Sequence, residues 1–298
     1  NQITNTKQLI VRQQKLICIN LKTLAMQKTF YKKELLIKAT QQRKGANNNK
    51  KDIEKIQSWL NLFAMQNPSS GTATGIDSDF GPATEKAVLN FQKFNSLSQT
   101  GSVDQKVFDL LASPLKKAFE SPVSGNNLRE LILNTAQNHL KNHPFELVIN
   151  NQSNSGPWVR SYMDGHEGTD WFWCMGFVQA IIDQAASIQG KNFKTLMPLT
   201  YSCDTVGVTG LQKKILTRYQ VARTNPALIK PADVFLIQKT TNDWFHTGIV
   251  TAVHGDIIET IEGNTNSDGS HNGNAVMNRI RNFKQSKIDF FSIESLVG

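Results

Sequence analysis

A cysteine stands just after three aromatics and just before a run of helical periodicity in the stretch DWFWCMGFVQAIIDQA, residues 170–185. From Trp173 onward, Phe177, Val178, Ile181, Ile182 and Ala185 recur at the spacing of one buried helix face. Cys174 then falls in the first helical turn, where the helix dipole and unpaired amides favour a thiolate. A thiolate there could attack a carbonyl carbon, provided that a base stands beside it and a third group orients the base.

The chain holds six histidines. His139 and His143 sit at a helix end, His166 in a polar loop, His254 in a turn and His271 in a Gly/Asn loop. Only His246 opens a strand of small and branched residues, HTGIV, in which Gly248 leaves room beside it. In the next strand Glu262 and Asn264 are two apart and point to one face. A three-residue connection, His254-Gly255-Asp256, pairs Val253 with Ile257. It sets His246 opposite Asn264 and Gly248 opposite Glu262, so that Glu262 reaches His246 diagonally. A two-residue turn at Gly255-Asp256 would instead turn His246 to the other face. Assembling the site therefore requires an odd loop length or a bulge. Each residue also has a plain reading. A lone cysteine is commonly a small buried hydrophobe, a strand glutamate is commonly solvated, and Asn264 could simply close its strand.

The elements around these residues divide the chain. KPADVFLI, HTGIVTAV, DIIETIEGN and KIDFFSI read as short strands, and NLRELILNTAQNHLKN (127–142) reads as an amphipathic helix. Helices first and strands later imply an α+β fold with an antiparallel sheet over 127–298. Upstream, DIEKIQSWLNLF, then DFGPATEKAVLNFQKFN with Pro82 in a first turn, then SVDQKVFDLL through Val103, Val107 and Leu110/Leu111 predict three helices within 49–113. Residues 1–48, closing on the polar run around QQRKGANNNKK, read as a basic arm and linker. ASPLKKAFESPVSGNN, around 114–126, reads as a second linker because of its prolines, Ser and Gly.

The net charge of +9 belongs to the arm. Residues 1–51 hold twelve Lys/Arg against Glu34 alone, and the rest of the chain is close to neutral. The high pI is thus no sign of a nucleic-acid-binding body. No apolar run approaches a membrane span. The opening residues lack the pattern of a secretory signal, and Met26 is a candidate natural start. Three cysteines form no disulfide framework, and Cys203, in YSCDTVG, reads as structural. Asn264-x-Asn266-x-Asp268-Gly269 has the rhythm of a calcium loop but one carboxylate, with Ala275 where Glu is needed; it reads as a loop. No Cys/His spacing suggests zinc, so neither metal nor cofactor is expected.

Two resemblances sharpen this reading. Gly75-Ile76-Asp77-Ser78-Asp79-Phe80-Gly81-Pro82-Ala83-Thr84, followed by Ala87-Val88, Phe91-Gln92 and Thr100-Gly101-x-Val103-Asp104, resembles the three-helix peptidoglycan-binding domain. Ser78 stands where that family usually has Gly. The resemblance implies peptidoglycan as partner and Asp79, Phe80, Thr84 and Gln92 as candidate binding residues. NSGPWVRSYM, WCMGFV, KPADVFLI, HTGIV and IEGNTN, in this order, resemble the CHAP family of papain-like amidohydrolases and peptidases. This chain has Phe172-Trp173 where many members have a polar donor before the cysteine, and Pro231-Ala232-Asp233-Val234 lacks the usual Gly. The resemblance implies Cys174 as nucleophile, His246 as base and later acid, Glu262 as orienter and Asn264 as an auxiliary polar partner. The Cys174 amide is the expected oxyanion donor, with Asn154 and Tyr162 as candidates for the second. The implied function is cleavage of an amide bond in peptidoglycan, either the muramoyl–L-alanine amide or one within the stem or cross-bridge. The alternatives are a non-catalytic wall-binding protein and a papain-like protease acting on proteins. A wall hydrolase without a recognisable signal would be made in the cytoplasm. It would act at the wall after release, as a phage endolysin does, or after delivery as a toxin, where delivery machinery or an immunity protein could attend it.

Overall fold

A computed structural model describes residues 25–268 and 272–297. Half of the expected basic arm (residues 1–24, with Cys18), His271 and Gly269 of the calcium-like string lie outside the described residues. Mixed helix and sheet make up the rest. In chain order, α1 is Tyr31–Glu34, β1 Gln41–Gln42, α2 Lys50–Gln66, α3 Pro82–Phe94, β2 Val103–Asp104, α4 Gln105–Leu111, α5 Ser113–Glu120 and α6 Leu128–Lys141. A small hairpin, β3 Leu147–Ile149 and β4 Gln152–Ser155, leads to α7 Pro157–Tyr162, α8 Cys174–Ile188 and α9 Cys203–Gln212. The strands β5 Leu216–Thr217, β6 Val234–Thr240, β7 Asp243–His254, β8 Ile257–Thr265, β9 Ala275–Asn282 and β10 Ile288–Phe291 form one antiparallel sheet, ordered β5-β10-β6-β7-β8-β9.

The upstream helices pack as their spacing requires. Ile53, Ile56, Trp59 and Leu60 of α2 bury against Ala87, Val88 and Phe91 of α3 and Phe108 of α4. Pro82 occupies the first turn of α3, where the missing N–H costs no hydrogen bond. Asn49 and Asp104 cap α2 and α4 by accepting from Asp52 N–H and Val107 N–H. The buried face of α4 differs from the expected one. Phe108 and Leu111 point inward, whereas Leu110 is exposed and Val103 belongs to β2, paired with β1.

Two expected linkers are folded structure. Residues 25–48 strap the upstream helices to the large block. Asp183 accepts from the backbone N–H groups of Gln27 and Lys28, both at 2.8 Å. Tyr31 stacks on Phe119 at 4.3 Å, and Asp52 accepts from the backbone of Lys38 and Ala39. Its charge reads as that of a basic arm and linker, but Asp183, Phe119 and Asp52, all outside the stretch, hold it in place. Helix α5 likewise replaces the second linker over 113–120: Leu115, Ala118 and Phe119 are buried, and Gln184 donates to the Ala118 and Phe119 carbonyls. Pro114 sits in its first turn, the same tolerated place as Pro82.

Arg160 of α7 ties these parts together. Its buried guanidinium meets Glu34 of the strap at 2.9 Å, Glu54 of α2 at 3.2 Å and Glu167 at 2.9 Å. Removing one member of such a buried set strands the others' charge, at a cost of about 3–5 kcal/mol. Arg160→Ala is therefore expected to lower unfolding stability by that amount in denaturant titration, and Arg160→Lys to recover only part of it, since one ammonium cannot serve three carboxylates as a planar fork does.

Candidate active site

The hairpin of β7 and β8 settles the register question by a bulge. Its turn is the two-residue Gly255-Asp256, with His254 paired to Ile257 and Val253 to Ile258. Between Val250 and Ala252 the ladder shifts by one residue, after which Ile249 pairs with Ile261. The slip at Thr251 restores the register that brings His246 and Glu262 to one face. His246 Nε2 and Glu262 Oε2 stand 2.8 Å apart, both side chains fully buried. Gly248 makes this possible: a Cβ there would lie 2.8 Å from Glu262 Cγ and 2.7 Å from the Phe235 ring. Gly263 lets β8 press on α8, since its Cβ would meet Phe177 Cβ at 2.7 Å.

Cys174 is the first residue of α8. No side chain caps that helix, and the Met175 N–H donates to the sulfur. The preceding Trp173 is buried, stacks on Tyr162 at 5.8 Å and donates its indole N–H to Glu146 at 2.8 Å, which fixes the chain where it enters the helix. The Cys174 sulfur bonds to His246. Nε2 of that ring is the nitrogen engaged by Glu262. Sulfur, imidazole and carboxylate thus form one line, the arrangement a thiol nucleophile needs.

The electrostatics agree. A hydrogen bond from the Cys203 thiol, working against burial and joined by the His246 contacts, holds the Cys174 thiol well below its ordinary value. Burial pulls the His246 imidazole down, but the Cys174 and Glu262 contacts outweigh it and leave it raised. Glu262 is held down to about 2: burial opposes ionisation, and hydrogen bonds from Arg281 and His246 overcome it. Arg281 of β9 donates through Nε and a terminal nitrogen to the two carboxylate oxygens, and Thr260 Oγ1 donates to Oε1 at 2.6 Å. The Arg281 guanidinium lies 5.3 Å above the Phe235 ring. Sequence reading missed Arg281, because β9 carries few branched residues and was not seen as a strand. The alternation of NRIRN was its one available signal.

Asn264 is buried at a bulge in β8, with left-handed backbone at φ 54°. Its side-chain amide has no hydrogen-bond partner among the described residues. Asn264 and Thr265 belong to a strand, so the calcium-like string does not begin as a loop. Both candidates for a second oxyanion donor are otherwise engaged. Asn154 Nδ2 donates to the Thr169 carbonyl. The Tyr162 hydroxyl donates to Nδ1 of buried His139, whose Nε2–H is taken by Gln184 Oε1. Gln184 is oriented by its own donation to two carbonyls, which fixes that tautomer. Burial lowers His139 to about 4, so it stays neutral and structural.

Cys203 is not a remote structural cysteine. It lines the same cleft as Cys174, with Phe172, Tyr201, Ser202, Trp244, Phe245 and Asn272, around a cavity of about 390 Å³. Phe172 forms an exposed lip. Among the described residues no group of three or more His, Cys, Asp or Glu could hold a metal ion, and no helix is long and apolar enough to cross a membrane.

In the upstream domain, the side chains put forward for peptidoglycan mostly hold loops. Gln57 donates to Thr84 Oγ1 and to the Asp79 carbonyl. Gln92 bonds to Thr100, to the Ser102 carbonyl and to Gly101 N–H. Phe80 is core, and Asp79 alone of the four is exposed. Phe80, Thr84 and Gln92 therefore shape the domain and offer little surface to a ligand.

The charge set makes a titration prediction. Cys174 should react with iodoacetamide, followed on its own peptide, with a midpoint well below the ordinary thiol value of 9.0. His246→Ala should raise that midpoint and slow alkylation at pH 6. Glu262→Gln removes the anion that raises His246, so the imidazolium should give way at lower pH. The depressed Glu262 pKa also contributes stability that is present above its unfolded value near 4.5. That contribution should fade as pH falls towards 2, and the Glu262→Gln variant should lack this part of the acid transition.

Residues 49–111 match the family model of a peptidoglycan binding domain. No curated protein matches the chain, and no solved structure does. The chain thus carries a helical peptidoglycan-binding domain, which supports association with the cell wall and peptidoglycan as its partner.

Proposed function

We propose that this protein is a peptidoglycan hydrolase whose large block, of papain-like CHAP type, cleaves an amide bond through Cys174. The observation that carries the reading is the buried line of Cys174, His246 and Glu262, with Cys174 at the wall of a cleft, in one chain with a peptidoglycan-binding domain. The thiolate of Cys174 would attack the amide carbonyl carbon. The oxyanion that forms would lie near the Cys174 backbone N–H at the uncapped start of α8. His246, protonated in the resting pair, would give its proton to the leaving amine as the C–N bond breaks, leaving a thioester. It would then take a proton from water, which releases the acid and regenerates the thiol pair. Glu262 keeps the imidazole oriented and favours its cationic form, and Arg281 keeps Glu262 ionised. Asn264, buried at the bulge of β8, would be an auxiliary polar partner.

Wall binding would use the groove of about 660 Å³ beside α4, where Leu97, Val107 and Leu110 offer apolar surface and Lys106, Lys116, Asp104 and Asp109 offer charges of both signs to a stem peptide. The strap and Arg160 would hold that groove fixed relative to the cleft. The protein would act at the cell wall after release or delivery from the cytoplasm.

Cys174→Ala should abolish turbidity loss of purified cell walls while leaving co-sedimentation with walls intact. Persisting lysis by that variant would overturn the hydrolase reading and leave a wall-binding protein. Release of amino groups from casein, and none from sacculi, would point to a protein protease instead. Lys106→Glu with Leu110→Ser should weaken co-sedimentation by about tenfold, roughly the 1.4 kcal/mol of one lost anchoring contact, without altering the alkylation behaviour of Cys174.

A further inference from the structure

Cys203 opens α9 as Cys174 opens α8. Each helix start is fixed against the sheet that carries His246. Helix α8 rests on β8 at the Gly263–Phe177 contact. Helix α9 is pinned to β7 two residues before His246: Asp204 Oδ1 accepts from the Trp244 N–H at 2.6 Å, and a Cβ on Gly207 would lie 2.5 Å from the Trp244 ring. Ser202 caps α9 by accepting from Thr205 N–H. Both thiols are free, and they line one solvent-reaching cleft. The Cys203 thiol donates to the Cys174 sulfur, and that contact, together with burial, keeps Cys203 protonated. A thiolate in contact with a thiol is the reduced form of a pair that can close.

We propose that Cys174 and Cys203 form a reversible disulfide, making the cleft a redox modification site for low-molecular-weight disulfides such as oxidised glutathione. The Cys174 thiolate attacks one sulfur of oxidised glutathione. The S–S bond breaks, and one glutathione thiolate leaves. Cys203 gives up its proton to solvent and attacks the Cys174 sulfur, expelling the second glutathione. The thiolate and thiol together lose two electrons and one proton, and one glutathione disulfide becomes two glutathione thiolates, which take up that proton and one from solvent. The bond occupies the sulfur that would attack the substrate, so it would silence the cleft until a reductant reopens it. Only this consequence rests on the hydrolase reading; formation of the bond does not.

The test uses full-length protein carrying Cys18→Ser, which leaves the two cleft cysteines alone. It is treated with excess oxidised glutathione, blocked with iodoacetamide, digested and mapped by mass spectrometry. Expected is a linked pair of peptides containing Cys174 and Cys203, two hydrogens lighter than their sum and separated by dithiothreitol, with wall lysis lost and regained in parallel. In the Cys203→Ala form, glutathione should remain attached to Cys174. A lasting glutathione adduct on Cys174 with Cys203 alkylated in the unaltered pair, or alkylation of both with no disulfide, would overturn the proposal. Linked peptides from protein that never lysed walls would leave it standing and sink the hydrolase reading instead.

Discussion

Glu262 carries its negative charge with no exposure to solvent, and burying a carboxylate in this way is costly unless every lone pair finds a donor. Here His246, Thr260 and both arms of the Arg281 contact supply those donors. The rest of the site depends on this charge staying in place. It holds the imidazole through Nε2 and so fixes the ring beside the sulfur. It also favours the protonated ring, which in turn favours the thiolate. Two glycines serve the same contact from behind: any side chain at Gly248 would push Glu262 away, and any at Gly263 would lift β8 off α8.

The second organising feature is the strap. A peptidoglycan-binding domain on a flexible linker raises local substrate concentration and little else. In this protein residues 25–48 and α5 pack into both parts, and Arg160 joins carboxylates from the strap, from α2 and from its own block. The two parts are coupled through buried charge and aromatic stacking.

Much of this was legible in the residues. The helix of Cys174, the strands of His246 and Glu262, and the demand for a bulge or odd loop all follow from periodicity and the two-residue alternation of strands. The position of the bulge, at Thr251, does not, because nothing in HTGIVTAVHGD marks which residue slips. Arg281 and Cys203 escaped for a different reason. Their roles arise from contacts across long sequence separations, and neither sits in a stretch whose composition singles it out. Residues 25–48 and 113–120 were misread because charge, Pro and Ser were weighed as signs of a linker. Pro114 lies in a first helical turn, and Lys28 is buried against Asp164. Composition reports what a segment could do alone, and these segments are held by partners.

The central claim is that the sulfur of residue 174 becomes bonded to the wall during turnover. Full-length protein mixed with purified sacculi, quenched in acid within the first turnovers and mapped by peptide mass spectrometry, examines that bond itself. A muropeptide-derived acyl group in thioester linkage to Cys174 is the expected result. Walls digested at full rate by protein whose Cys174 is wholly alkylated, or an acyl group carried on a different residue, would contradict it.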